Sequence, residues 1–217
     1  MHDIIATVAI IALPLIFAIT VHEAMHGYAA LKFGDKTAYR AGRITLNPIK
    51  HIDPVGTIAV PIALMVLQKL SGGAFFIFGW AKPVPVNFAA LNNPKRDMLW
   101  VALAGPASNI VMAILWAYIA FFALQADMGA TAEFLKKTAG IGVTINIIFA
   151  GINLLPILPL DGGRIVASLL PSQLEEKYAL TERYGFFILL ALIFFVPGVI
   201  YPIFNFIGNI VMFFVIV

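Results

Sequence analysis

Cysteine is missing from all 217 residues. That absence excludes disulfides and thiolate metal sites, and it leaves His, Asp and Glu as the strong ligand types. Charge is scarce as well. Only 12% of the residues are Asp, Glu, Lys or Arg, about half the share of a soluble domain. The chain has no repeat, no low-complexity tract and no stretch of soluble-domain composition. It also has no basic patch interleaved with aromatics, so a nucleic-acid partner is not expected. What fills it is apolar: 61% of the residues are hydrophobic, and the mean hydropathy is +0.96. The composition is that of an integral membrane protein with the lipid bilayer as its solvent, read as a single membrane domain over 1–217.

A bilayer core about 30 Å thick needs roughly 20 helical residues. Ile4 to Leu31, Pro54 to Leu70, Met98 to Leu124 and Thr138 to Leu158 meet that length or nearly so. Tyr184 to Val196 and Tyr201 to Val217, divided by Pro197-Gly198, read as a C-terminal helical hairpin over 184–217. The fold class expected is an α-helical polytopic membrane protein with about six transmembrane or re-entrant helices. The first run follows no Lys or Arg and ends at no small-residue cleavage site, so it reads as a retained span. TAYRAGRITL, residues 37–46, mixes β-formers with polar residues and predicts a short membrane-associated β segment. FFIFGWAKPVPVN, residues 75–87, is broken by Gly79, Pro83 and Pro85 and predicts a re-entrant or interfacial stretch.

The 14 basic residues fall in four connecting stretches, with Lys69 at the very end of the second run: five in 32–53, four in 69–97, two in 125–137 and three in 161–183. Cytoplasmic loops are rich in Lys and Arg, so the connector after the first span is expected in the cytoplasm and the 125–137 loop outside.

Within residues 4–31 the one charged group is Glu23, set between His22 and His26 in the run HEAMH. At about 100° per residue, His22 and His26 fall about 40° apart and stack one turn from each other. Two imidazoles so placed can share a metal ion, and the neighbouring carboxylate can take a proton from its water. Ionisable groups inside a membrane span are costly and functional by default. A catalytic zinc normally has a third protein ligand. The fourth span ends in 153-NLLPILPLDGGR-164, where Asp161 is the first acid after Glu133. Asp161 reads either as the cap of the helix that follows or as that ligand. If residues 32–97 return to the side they left, the next two spans deliver Asp161 to the depth of the histidines.

HEAMH, the Asn153-x-x-Pro156-x-x-x-x-Asp161-Gly162 pattern and 104-AGPASN-109 together resemble the site-2 protease family of intramembrane zinc metalloproteases, over about Ile4 to Leu170. Residues 79–87 resemble its short bacterial members without a PDZ or CBS domain. The resemblance implies a Zn2+ cofactor held by His22, His26 and Asp161, with Glu23 as catalytic base. It also implies that Asn153 contacts the substrate backbone or steadies the oxyanion, with Pro156 and Asn109 beside it as substrate-binding residues. A transmembrane protein would be the substrate, hydrolysed in or near its membrane segment, in a bacterial cell membrane with the site toward the cytoplasm. The 37–46 segment would pair with an unwound substrate. His51, in a turn, is expected to be solvated rather than part of the site.

Two rivals remain in view. A zinc transporter would need a second ligand set, and the other apolar spans contain no His, Asp or Glu. A catalytically silent membrane chaperone or partner module would have no use for Glu23. Oligomeric state is not legible.

Overall fold

The computed structural model describes residues 2–71, 79–125 and 129–216. Nine α-helices occur among these residues. They are α1 (His2–Lys32), α2 (Thr37–Arg40), α3 (Val60–Ser71), α4 (Pro94–Gln125), α5 (Ala130–Asn153), α6 (Asp161–Leu169), α7 (Ser172–Ala179), α8 (Gly185–Phe195) and α9 (Pro197–Ile216). Five stretches are long and apolar enough to cross a membrane: Ala9–Lys32, Pro94–Gln125, Ala130–Asn153, Ser172–Phe195 and Gly198–Val215. The protein is a polytopic helical membrane protein, with five candidate spans among the described residues and a shorter apolar helix between the first two of them.

Among the described residues, the second stretch is the shorter one. A π-helical turn at Pro54–Ala59 leads into α3, whose 12 residues rise about 18 Å, against the roughly 30 Å of a bilayer core. The expected β segment is absent. Residues 37–40 form helix α2, the chain turns after it, and no strand occurs among the described residues. Asp35 accounts for this locally. Its carboxylate accepts from Thr37 N (2.8 Å) and from the Thr37 hydroxyl (2.5 Å), so it starts a helical turn where alternation of residue type suggested extension. Of the broken segment at 75–87, residues 75–78 lie outside the described residues. Residues 79–87 are extended, as their prolines require.

α1 packs against both α4 and α5, which form a tight antiparallel pair, and α6 returns against α4. α5 ends at Asn153 rather than at Leu158. Pro156 has no N–H to donate back along the helix, and its ring would strike the carbonyl four residues earlier. The connector before α4 comes back to the end of α1, where Asn92 N donates to Phe33 O at 2.8 Å. Residues 33 and 92 therefore sit at the same end of the bundle, as a shared depth for the histidines and Asp161 demands.

Candidate metal centre

His22 and His26 meet ring to ring on α1, with centroids 4.6 Å apart. Each ring is fixed from behind by α4. His22 Nδ1 lies 2.6 Å from Asn109 Oδ1, and His26 Nδ1 lies 2.8 Å from Val101 O. Both partners are oxygen acceptors, so both Nδ1 atoms carry the proton and both Nε2 atoms are left with a lone pair. The Asn109 amide is itself oriented: its Nδ2 donates to Ala18 O (3.2 Å) and to Asn146 Oδ1 (2.9 Å), and Asn146 Nδ2 donates to Gly142 O (2.8 Å). Asn109 and Asn146 are 0% exposed and His22 is 6% exposed. A chain of polar groups thus crosses the apolar interior from α5 through α4 to α1.

The two Nε2 atoms face each other at 3.0 Å. Asp161 completes the group, with Oδ2 at 3.3 Å from His22 Nε2 and Oδ1 at 3.3 Å from His26 Nε2. Asp161 is the first residue of α6, yet its side chain makes no capping bond, and the helix-cap position belongs to Leu160. The geometry puts Asp161 with the histidines rather than in the capping role. One ligand atom from each of the three residues lies within 4.8 Å of the others. Three acceptors facing one point, two of them with their protons committed elsewhere, repel one another unless a metal ion or a shared proton sits among them. The donor set of two imidazoles and a carboxylate suits zinc.

Glycine makes two of these approaches possible. A Cβ on Gly105 of α4 would collide with His26 Nε2 and would stand 2.6 Å from His22 Cε1. A Cβ on Gly162 would collide with the carbonyls of Leu154 and Leu155, so α6 could not fold back far enough to bring Asp161 in.

Glu23 faces the same cavity, of about 370 Å3, together with His22, His26, Asp161, Asn153 and Arg164. Its Oε2 accepts from Val84 N at 2.6 Å, which ties it to the extended 79–87 segment. That segment is held further by Arg43, which donates to Lys82 O (2.8 Å) and Pro83 O (3.3 Å), and by Asp35, which accepts from Asn87 N (2.7 Å). Burial pushes the Asp35 carboxyl up, but the hydrogen bonds from Thr37 and Asn87 outweigh it and hold its pKa below the ordinary value.

Not every expected residue reaches the cavity. Asn153 lines it, with Nδ2 donating to Phe149 O at 3.0 Å. Pro156 is exposed and is not among the lining residues. Asn109 is sealed behind His22, so it orients the ring and has no surface to offer a substrate. His51 is not solvated: it is 2% exposed, with Nε2 3.0 Å from Thr45 O, and it too lies outside the cavity. Sequence reasoning passed over Asn146, Val84, Arg164 and Arg43. A polar amide in the middle of an apolar span was signal enough for Asn146. Arg164, paired with Glu182 at 2.7 Å, and Arg43 look like ordinary connector cations until the chain folds. Nothing in a valine announces that its N–H will meet Glu23.

The model of peptidase family M50 matches residues 125–196, a stretch that holds Asn153 and Asp161. A Bacillus subtilis (strain 168) protein, YwhC, named as a candidate zinc metalloprotease, is 37% identical over 200 residues, which cover 90% of this chain and 85% of that one. The chain belongs to peptidase family M50. Two mycobacterial proteins called Rip2, also named as candidate zinc metalloproteases, are more distant. The one from Mycolicibacterium smegmatis (strain ATCC 700084 / mc(2)155) is 28% identical over 191 residues, or 82% of this chain and 64% of that one. The one from Mycobacterium tuberculosis (strain ATCC 25618 / H37Rv) is 26% identical over 216 residues, or 88% and 71%. No solved structure matches. This M50 peptidase is an intramembrane zinc metalloprotease, and neither the transporter nor the silent-partner reading gains support from its relatives.

Proposed function

We propose that the zinc is held by Nε2 of His22, Nε2 of His26 and the carboxylate of Asp161, and that Glu23 is the general base. The substrate in this reading is a membrane-spanning segment of another protein, cut on the cytoplasmic side of the cell membrane. The observation that carries the reading is the convergence of three proton-free acceptors on one point beside a cavity that Glu23 also lines. Ile4 to Leu170 would form the proteolytic core and residues 184–217 an added hairpin, within one domain.

When bound, zinc supplies a Lewis acid that makes water acidic near neutral pH and polarises the scissile carbonyl. The rest falls to the chain. Asn109 and Val101 hold the two imidazoles in the tautomer that presents Nε2. Val84 N–H occupies Oε2 of Glu23, which fixes the carboxylate and leaves Oε1 to receive the proton from the attacking water. Asn153, which lines the cavity, is in this reading the residue that hydrogen-bonds the substrate backbone. A helical substrate must unwind first, because its carbonyls are already bonded within the helix, so helix-weakening residues near the cut favour cleavage.

Glu23→Gln and Asp161→Asn separate the roles. In a reconstituted membrane with a transmembrane substrate, Glu23→Gln is expected to keep its zinc and lose about 10²- to 10⁴-fold in cleavage rate, whereas Asp161→Asn loses zinc as well. Full activity in Glu23→Gln removes it as the base, and full zinc with normal cleavage in Asp161→Asn removes that residue as a ligand. For sidedness, Lys36→Cys and Lys95→Cys should label from the cytoplasm and Ala130→Cys from outside. Labelling of the first two from opposite faces would overturn the orientation.

A further inference from the structure

A second cavity, of about 530 Å3, shares no residue with the metal centre and is lined by Lys95, Arg96, Leu99, Trp100, Ser168 and Leu169. It lies between the first turns of α4 and the last turn of α6. Its chemistry is graded along the helix. Lys95 and Arg96 stand in the first turn of α4, and Leu99 and Trp100 follow one turn, or about 6 Å, deeper into the span. Trp100 is 49% exposed and Leu169 68% exposed, so the cavity has an open apolar wall.

The charges in it are not balanced. Lys95 Nζ is 2.9 Å from Glu175 and therefore matched, and the Ser168 hydroxyl donates to Ile165 O within its own helix. Arg96 is exposed and makes no ion pair among the described residues. An unmatched guanidinium and, in the same cavity, a tryptophan and two leucines suit a ligand with an anionic head and an apolar tail. We infer that this cavity is a binding site for an anionic phospholipid, with its phosphate on Arg96 and an acyl chain along Leu99, Trp100 and Leu169. Basic pockets between membrane helices take such headgroups, and an interfacial tryptophan is at home at that depth. The two helices the lipid would bridge carry Val101 and Asn109 on α4 and Asp161 on α6, all parts of the metal centre.

The test reads binding and does not depend on proteolysis. The full chain, purified in detergent, is offered equal amounts of phosphatidylglycerol and phosphatidylcholine, and retained lipid is counted by native mass spectrometry. Wild type should retain phosphatidylglycerol in preference. Arg96→Ala should lower that retention about fivefold, the worth of one basic residue at a membrane surface, and Arg96→Lys should recover most of it. Trp100→Ala should weaken retention of both lipids, while Lys50→Ala, an exposed cation outside the cavity, should change neither. Equal retention of the two lipids by wild type overturns the site, as does an equal loss in Lys50→Ala and Arg96→Ala. Full displacement of phosphatidylglycerol by millimolar inorganic phosphate would show an anion site with no use for the tail, and would overturn the lipid assignment.

Discussion

His22 and the extended residues 79–87 border one cavity, yet they are held there by different kinds of bond. The floor of the site is tied side chain to side chain across three helices, from His22 to Asn109 to Asn146, and it ends on the Gly142 carbonyl. Every member is buried, so breaking one link leaves an unpaired polar group in a low-dielectric interior. The cover is backbone, pinned at three places by side chains from elsewhere: Arg43 on two carbonyls, Glu23 on Val84 N and Asp35 on Asn87 N. Pro83 and Pro85 have no N–H of their own to add. The floor therefore sets the metal, and the cover sets what lies over it. The two should respond separately to mutation.

The largest effect that tests this division is on the floor. His22→Ala with His26→Ala removes two of the three proposed ligands, and zinc content should fall from about one per chain to near zero, as metal analysis would show. Retained zinc would break the assignment outright. Next comes Asn109→Ala, which deletes the acceptor for His22 Nδ1 without touching a ligand. Outer partners of this kind are worth about 10- to 100-fold in metal affinity, and chelator competition measures the loss. Unchanged affinity would mean that the buried chain serves packing alone.

On the cover, Arg43→Gln should leave zinc affinity at the wild-type value while lowering cleavage about tenfold, the order expected for a charge-assisted hydrogen bond. A parallel loss of zinc would show that floor and cover are one unit. The smallest effect belongs to Asp35. Asp35→Asn should lower the melting temperature at pH 7 by about 2–4 °C. The folded carboxyl has a pKa below that of an unfolded Asp, about 3.9. Its contribution is thus complete above that value and lost as pH falls through the folded one. The gap between mutant and wild type should accordingly close below about pH 4, and a gap that persisted in acid would point to packing rather than charge.

HEAMH was legible because helical geometry is local: 3.6 residues per turn place His22 and His26 on one face in any α-helix, and the membrane makes such groups conspicuous. The apolar runs were legible for the same reason, since span length follows from residue count. The 37–46 segment was misjudged where the local signal was weak: the Asp35 side chain turned a strand-like pattern into a helical start. For the run at 54–70, of near-threshold length, residue count alone left spanning and re-entry both open.

By itself, then, the chain's order of residues determined that this is a membrane protein, that α1 carries two imidazoles in ligand register with a carboxylate beside them, and that an aspartate follows a proline-broken span. These are consequences of composition and of spacing within one element. Only the tertiary structure decided that Asp161 joins the histidines instead of capping α6, that Asn109 stands behind His22 and not before a substrate, and that Val84 meets Glu23. Each of those contacts joins residues from 61 to 139 positions apart in the sequence. No local rule sets such a distance. It is fixed by how closely the helices can pack, which here turns on a missing Cβ at Gly105 and another at Gly162.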